Sequence, residues 1–115
     1  MLHFYSTVLG CPIERELPAE FGLVQLRAGN ALIDLVAVDS ELGRAGGGAP
    51  TGTDNNMDHF CLQIRAQPEE QISQYLRSHS IEVGAFERRY GAQGYGNSLY
   101  LSDPDGNTVE LRNQI

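Results

Sequence analysis

The sequence predicts an α+β fold assembled from two related modules. Apolar alternation at a period of two recurs in short stretches, and each stretch is bounded by Gly, Pro, Asn or Asp. The two halves end alike, with G-N-A-L-I-D-L at 29–35 and G-N-T-V-E-L at 106–111. Their element orders also match. The second half reads strand, helix, strand, strand, strand, and the first reads helix, strand, strand, strand. A module this small does not close a core alone, so two side by side are expected to form one curved sheet around a cleft.

Each element has its own signal. Residues 2–9 set Phe4 with Val8 and Tyr5 with Leu9 at helical spacing, and Gly10 stops that helix. His3 faces solvent. Residues 12–17 read as a strand with Pro12 at its start, where no ladder bond is lost. Pro18 to Glu20 turns the chain. Strand 21–27 places Leu23, Gln25 and Arg27 on one face and Val24 and Leu26 on the other. After a turn at 28–30, residues 31–38 form the most apolar strand, with Asp34 at its centre. An aspartate among aliphatic residues is costly to bury without a partner. It is therefore a hydrogen-bonded or rim residue, or a ligand.

Residues 39–56 break the pattern. Gly, Pro, Thr and Asn dominate, which predicts a mobile linker between the halves. Residues 57–65 resume as a strand with Phe60, Leu62 and Ile64 on one side and His59, Cys61, Gln63 and Arg65 on the other. Pro68-Glu-Glu opens a helix whose Ile72, Tyr75, Leu76 and His79 make one buried stripe, with His79 as a favourable end cation. Residues 81–89 read as a strand with Gly84 as a bulge, and 90–96 as a flexible loop carrying two tyrosines. The last element is a hairpin over Asn97–Arg112 around the turn Asp103-Pro104-Asp105-Gly106, which has type I chemistry. Alternation puts Thr108, Glu110 and Arg112 on one face and Val109 and Leu111 on the other. Glu110 is then a carboxylate held by a regular strand, as a metal or general-base site requires. An isolated V-E-L would ordinarily be a solvated glutamate. The expected organisation is one domain over 1–115: first module 1–38, linker 39–56 and second module 57–115.

Composition narrows the partners. At 115 residues with 41% hydrophobic content, the chain can bury a core. A formal net charge of −7 argues against nucleic acid and anionic membranes as main partners. No apolar run is long enough to span a bilayer, and no basic-then-apolar leader is present. Cys11 and Cys61 are far apart and lack zinc-type spacing, so free thiols in a reducing cytoplasm are expected.

The F-Y-S-T-V-L-G stretch at 4–10, the D-P-D-G-N-T-V-E-L ending at 103–111 and the paired modules resemble the vicinal oxygen chelate superfamily. Glyoxalase I, bleomycin-resistance proteins, methylmalonyl-CoA epimerase, fosfomycin-resistance enzymes and extradiol dioxygenases belong to it. The resemblance covers nearly the whole chain and implies paired βαβββ modules enclosing a metal cleft. The ligands would come from the first and last strands of each module. By position these are His59 and Glu110, with Asp34 from the last strand of the first module. The first module here lacks its first strand, which in the family often supplies a histidine ligand. An in-frame upstream segment encoding an apolar strand with His or Gln is therefore expected.

The resemblance further implies a divalent ion (Zn, Ni, Mn, Co or Fe), Glu110 as proton shuttle, and Gln25, Arg27, Gln63 and Tyr100 against a small substrate. Tyr5 is a further pocket candidate, and Arg88 and Arg89 are positioned to hold an anionic group. A homodimer is expected. Three activities stay open: a glyoxalase-type lyase or isomerase, a metal-free drug-binding protein, and an extradiol-type dioxygenase.

Overall fold

The computed structural model of the protein describes residues 1–51, 53 and 57–114. The chain divides into two compact units, Met1–Asp54 and Asn55–Ile115. The chain belongs to the α+β class, built from βαβββ-like modules; among the described residues the first unit's first element is a helix.

The first unit opens with a helix at His3–Val8, as expected, but of the wider π type. Its wider turn is visible in the Leu9 amide, which bonds the Phe4 carbonyl five residues back (3.0 Å). Phe4, Tyr5 and Val8 are buried, while His3 is exposed. Gly10 ends the helix at φ +75°, where a side chain would be strained. Strands β1 (Ile13–Glu16), β2 (Leu23–Ala28) and β3 (Ala31–Val36) follow as an antiparallel sheet in the order β1-β2-β3. A bulge between Ile13 and Arg15 shifts the β1–β2 register. Gly29 takes φ +61° in the two-residue turn joining β2 to β3.

The stretch expected as plain linker contains a helix, α1 (Glu41–Ala45). Ser40 caps it: its hydroxyl accepts from the Gly43 amide (3.1 Å) and donates to the Ala37 carbonyl (2.6 Å). The Ser-Glu start was therefore a capping signal hidden among glycines. Residues 52 and 54–56 of that stretch lie outside the described residues.

The second unit runs β4 (His59–Ile64), α2 (Glu69–Ser78), β5 (Glu87–Gly91), β6 (Gly94–Ser102) and β7 (Thr108–Asn113). Its sheet has the order β4-β7-β6-β5, with β4 and β7 parallel and the other pairs antiparallel. Leu99, Leu101, Val109 and Leu111 form the buried apolar face. Helix α2 is tied to that side by Asn113, which exchanges hydrogen bonds with Gln67 (3.1 and 2.7 Å), and by Asn97, which donates to Glu69 (2.6 Å).

Three expectations in this unit need correction. Residues 81–86 are not a strand: Gly84 reaches β6 through one amide bond to the Tyr100 carbonyl (3.2 Å) and forms no bulge. The strand begins later, and the 90–96 loop is instead the tip of a β5–β6 hairpin turning at Ala92-Gln93. On α2, Ile72, Ser73 and Leu76 are the buried residues. Tyr75 and His79 are exposed and pack on each other, with ring centroids 4.7 Å apart. The apolar stripe is thus narrower than the spacing implied.

The Asp103 turn sets the register of β6 against β7. Gly106 donates to the Asp103 carbonyl (2.9 Å) and sits at φ +82°. The buried Asp103 carboxylate accepts from the Asp105 amide (2.9 Å), the Asn107 amide (2.9 Å) and the Asn107 side chain (2.7 Å). Replacing Asp103 by Ala leaves those donors without an acceptor, so D103A is expected to lose about 2–3 kcal/mol. The check is a lower urea midpoint at unchanged slope, with D103N losing less.

Candidate functional site

One face of the second sheet is polar. Pairing and alternation place His59, Cys61 and Gln63 of β4 on it, with Thr108, Glu110 and Arg112 of β7, Ser98 and Tyr100 of β6, and Glu87 and Arg89 of β5. Parallel pairing of β4 with β7 sets Cys61 opposite Glu110 and brings His59 diagonally alongside.

Glu110 is the centre of this face. Its side chain is 9% exposed. A buried carboxylate needs donors, and two strands supply them. The Ser98 hydroxyl of β6 donates to Oε1 (2.6 Å), and His59 Nε2 of β4 lies 3.2 Å from Oε2. His59 Nδ1 is 2.6 Å from the exposed Asp58 carboxylate. The Asp58 hydrogen bond raises the His59 pKa above the ordinary histidine value, burial opposes it, and the charges of Asp58 and Glu110 add to the rise. Tyr100 stands edge-on to the His59 ring (5.2 Å) and carries the Arg89 guanidinium 4.4 Å from its own ring centre.

Arg112, also on this face, is buried. Its guanidinium donates to the carbonyls of Arg89 (3.3 Å) and Gly94. It lies against Gly91 and Gly96, where an added Cβ would come within 2.7 Å of Nη1 and 2.6 Å of Nη2. Those glycines make room for an arginine.

The sequence matches the profile of the glyoxalase/bleomycin resistance protein/dioxygenase superfamily over residues 1–111. The chain belongs to this superfamily.

Solved structures agree on the fold. An integron cassette protein from the mobile metagenome of V. cholerae is 23% identical, with a TM-score of 0.68 over 98% of this chain and 83% of that one. Lactoylglutathione lyase from Agrobacterium tumefaciens is 21% identical, with a TM-score of 0.63 over 97% and 81%. The genomically encoded fosfomycin resistance protein from Listeria monocytogenes is 14% identical, with a TM-score of 0.66 over 98% and 80%. At these identities the likeness concerns fold alone. No curated protein matches the sequence.

The superfamily's implied divalent metal can be set against the donors present. Two protein ligands bound to one first-row ion at about 2.0–2.2 Å stand roughly 3 Å apart. His59 Nε2 and Glu110 Oε2 have that spacing, at 3.2 Å. A carboxylate on the opposite ring nitrogen, as Asp58 provides, is the usual support of a ligating histidine. The pair fits the edge of a metal site. Among the described residues, no group of three or more His, Cys, Asp or Glu converges. Cys61 is a poor third donor, because partial burial and the Glu110 charge push its thiol up and away from the thiolate.

The remaining sequence candidates fall as follows. Asp34 is on the first unit's sheet, exposed, and accepts from Gln25 (3.0 Å). Gln25 in turn accepts from Arg15 (2.9 Å), and Arg27 pairs with Glu14 (2.5 Å). Gln63 is exposed and donates to Gln93 (2.8 Å). Tyr5, expected near a pocket, is instead core, 2% exposed and edge-on to Phe4. An amphipathic helix must bury one face, and Tyr5 is on it. Arg88 stacks on Tyr95 (3.8 Å). Cys11 and Cys61 are free thiols. Among the described residues no helix is long and apolar enough to cross a membrane.

Sequence reasoning missed Asp58, Ser98 and the role of Arg112. Alternation from Tyr100 would have found Ser98, since it sits two residues earlier on the same face.

Two outcomes are expected. His59 binds its proton more tightly in the folded chain, so its contribution to stability is complete below about pH 6.5. That contribution disappears as pH rises through the raised native value. In metal-free protein, D58N is expected to lower the His59 midpoint, read by NMR of the imidazole nitrogens. Separately, G96A is expected to evict the Arg112 guanidinium and cost about 1–3 kcal/mol, while in an R112A background the same change is nearly neutral. Thermal melts of the double-mutant cycle read this.

Proposed function

We propose that this chain is a metal-dependent lyase or isomerase of the glyoxalase type, acting on a small substrate with vicinal oxygens. The observation that carries the reading is the convergence of His59 Nε2 and Glu110 Oε2 at 3.2 Å on a polar, strand-built face. One imidazole and one carboxylate favour Zn, Ni, Mn, Co or Fe over thiolate-selected ions. Such an ion supplies Lewis-acid stabilisation of an oxyanion when bound. His59 Nε2 and Glu110 Oε2 would hold it, with Asp58 fixing the imidazole.

The chain's own part is positional and protolytic. Glu110 Oε2 would carry the proton when released from the ion, and the Ser98 hydrogen bond to Oε1 keeps the carboxylate on the same side of the sheet. Gln63 and Tyr100 flank the pair on the same sheet and are the proposed substrate contacts. The metal-holding donors invoked here belong to the second unit alone. Assembly as a homodimer in the cytoplasm belongs to the same proposal; light scattering is expected to give twice the chain mass, and a single-chain mass would contradict the dimer.

A second reading has its own support. Asp58, His59 and Glu110 already satisfy one another as an ion-paired chain, which suits a metal-free binding protein of the bleomycin-resistance kind. The dioxygenase reading is weaker. It needs a second histidine, and His79 sits at the end of α2 against Tyr75.

Metal analysis of freshly purified protein separates these readings. About one divalent ion per chain is expected, falling sharply in H59A and E110Q, and falling as pH drops because a proton competes for His59. Metal-free wild type, or an H59A variant with unchanged metal, contradicts the proposal.

A further inference from the structure

We infer that Arg89 and Ser98 are positioning residues that decide which oxygen of Glu110 is offered to the metal. The inference rests on the metal reading above. Ser98 is completely buried. Its hydroxyl has one proton and two lone pairs. Arg89 Nη1, which can only donate, lies 3.1 Å from Ser98 Oγ. Oγ therefore accepts from Arg89, and its single proton goes to Glu110 Oε1 at 2.6 Å.

The same Nη1 also donates to the Ser98 carbonyl, so one guanidinium holds both backbone and hydroxyl of that residue. Arg89 is itself fixed. Nη2 donates to Glu87 (2.9 Å), and the guanidinium carbon sits over the Tyr100 ring, 4.4 Å from its centre. With Oε1 engaged, Oε2 is the oxygen that faces His59. Glu110 would accordingly hold the ion through Oε2, with Oε1 kept on Ser98.

The first unit carries a related arrangement. Arg15 donates to Gln25, and Gln25 donates to Asp34, from three successive strands. An arginine, a neutral hydrogen-bonding residue and an acid recur in both units. Arg15 and Asp34 at the ends of the first copy are exposed, whereas Ser98 and Glu110 of the second are buried.

The test uses Co²⁺ as probe on the full chain, by calorimetry and by the visible ligand-field spectrum. S98A is expected to weaken Co²⁺ binding about 10- to 100-fold and to alter the spectrum. S98T restores both, because it keeps the hydroxyl. R89M, at a partly exposed position, moves both readouts in the same direction as S98A and guards against failure of S98A to fold. Wild-type affinity and spectrum in folded S98A or R89M, with binding lost in H59A, overturns the inference and leaves the metal reading standing. A wild type that binds no Co²⁺ overturns the metal reading, and the inference falls with it.

Discussion

The structure depends on keeping a carboxylate buried in the middle of a sheet. Glu110 is on β7, an interior strand of the order β4-β7-β6-β5. An ionised group there is stable only if hydrogen-bond donors replace the water it loses. The strand on each side supplies one, Ser98 from β6 and His59 from β4. Sheet topology, not a loop, assembles the site. That gives it the rigidity a catalytic carboxylate needs.

The parallel pairing of β4 with β7 is the decisive topological step. His59 and Glu110 are separated by a helix and a hairpin in sequence, yet their strands run side by side in register. The hairpin is anchored by a second buried charge. Arg112, one alternation beyond Glu110, reaches over β6 and bonds carbonyls at Arg89 and Gly94. The glycines at 91 and 96 are what permit that reach. The hairpin so anchored presents Arg89 to Ser98, and Ser98 to Glu110. The two buried charges of β7 therefore support each other through backbone geometry.

Much of this was legible from the residues. Alternation put His59, Cys61, Gln63 and Arg65 on one side of 57–65 and Thr108, Glu110 and Arg112 on one face of the last strand, the family resemblance joined His59 to Glu110, and the repeated G-N endings revealed two modules. The misreadings have physical causes. Y-G-A-Q-G-Y-G looked like a flexible loop because glycine usually marks freedom. Here two of its glycines mark lack of space beside a long side chain. The strand at 81–89 was placed too early because I-E-V-G-A-F is apolar enough for a strand, and only the partner decides where pairing begins. The helix at 41–45 was hidden because glycine composition outweighed a single Ser cap. Alternation from Tyr100 gives the face of Ser98, but the direction of its hydroxyl depends on Arg89, a contact that no local pattern encodes.

The most direct test of the central claim is a crystal structure of the protein grown with Mn²⁺ and measured at an anomalous wavelength. The account predicts an anomalous peak at about 2.0–2.3 Å from both His59 Nε2 and Glu110 Oε2, with Ser98 still bonded to Oε1. A structure in which Mn²⁺ sits elsewhere, or in which His59 and Glu110 remain bonded to each other with no ion beside them, would contradict it.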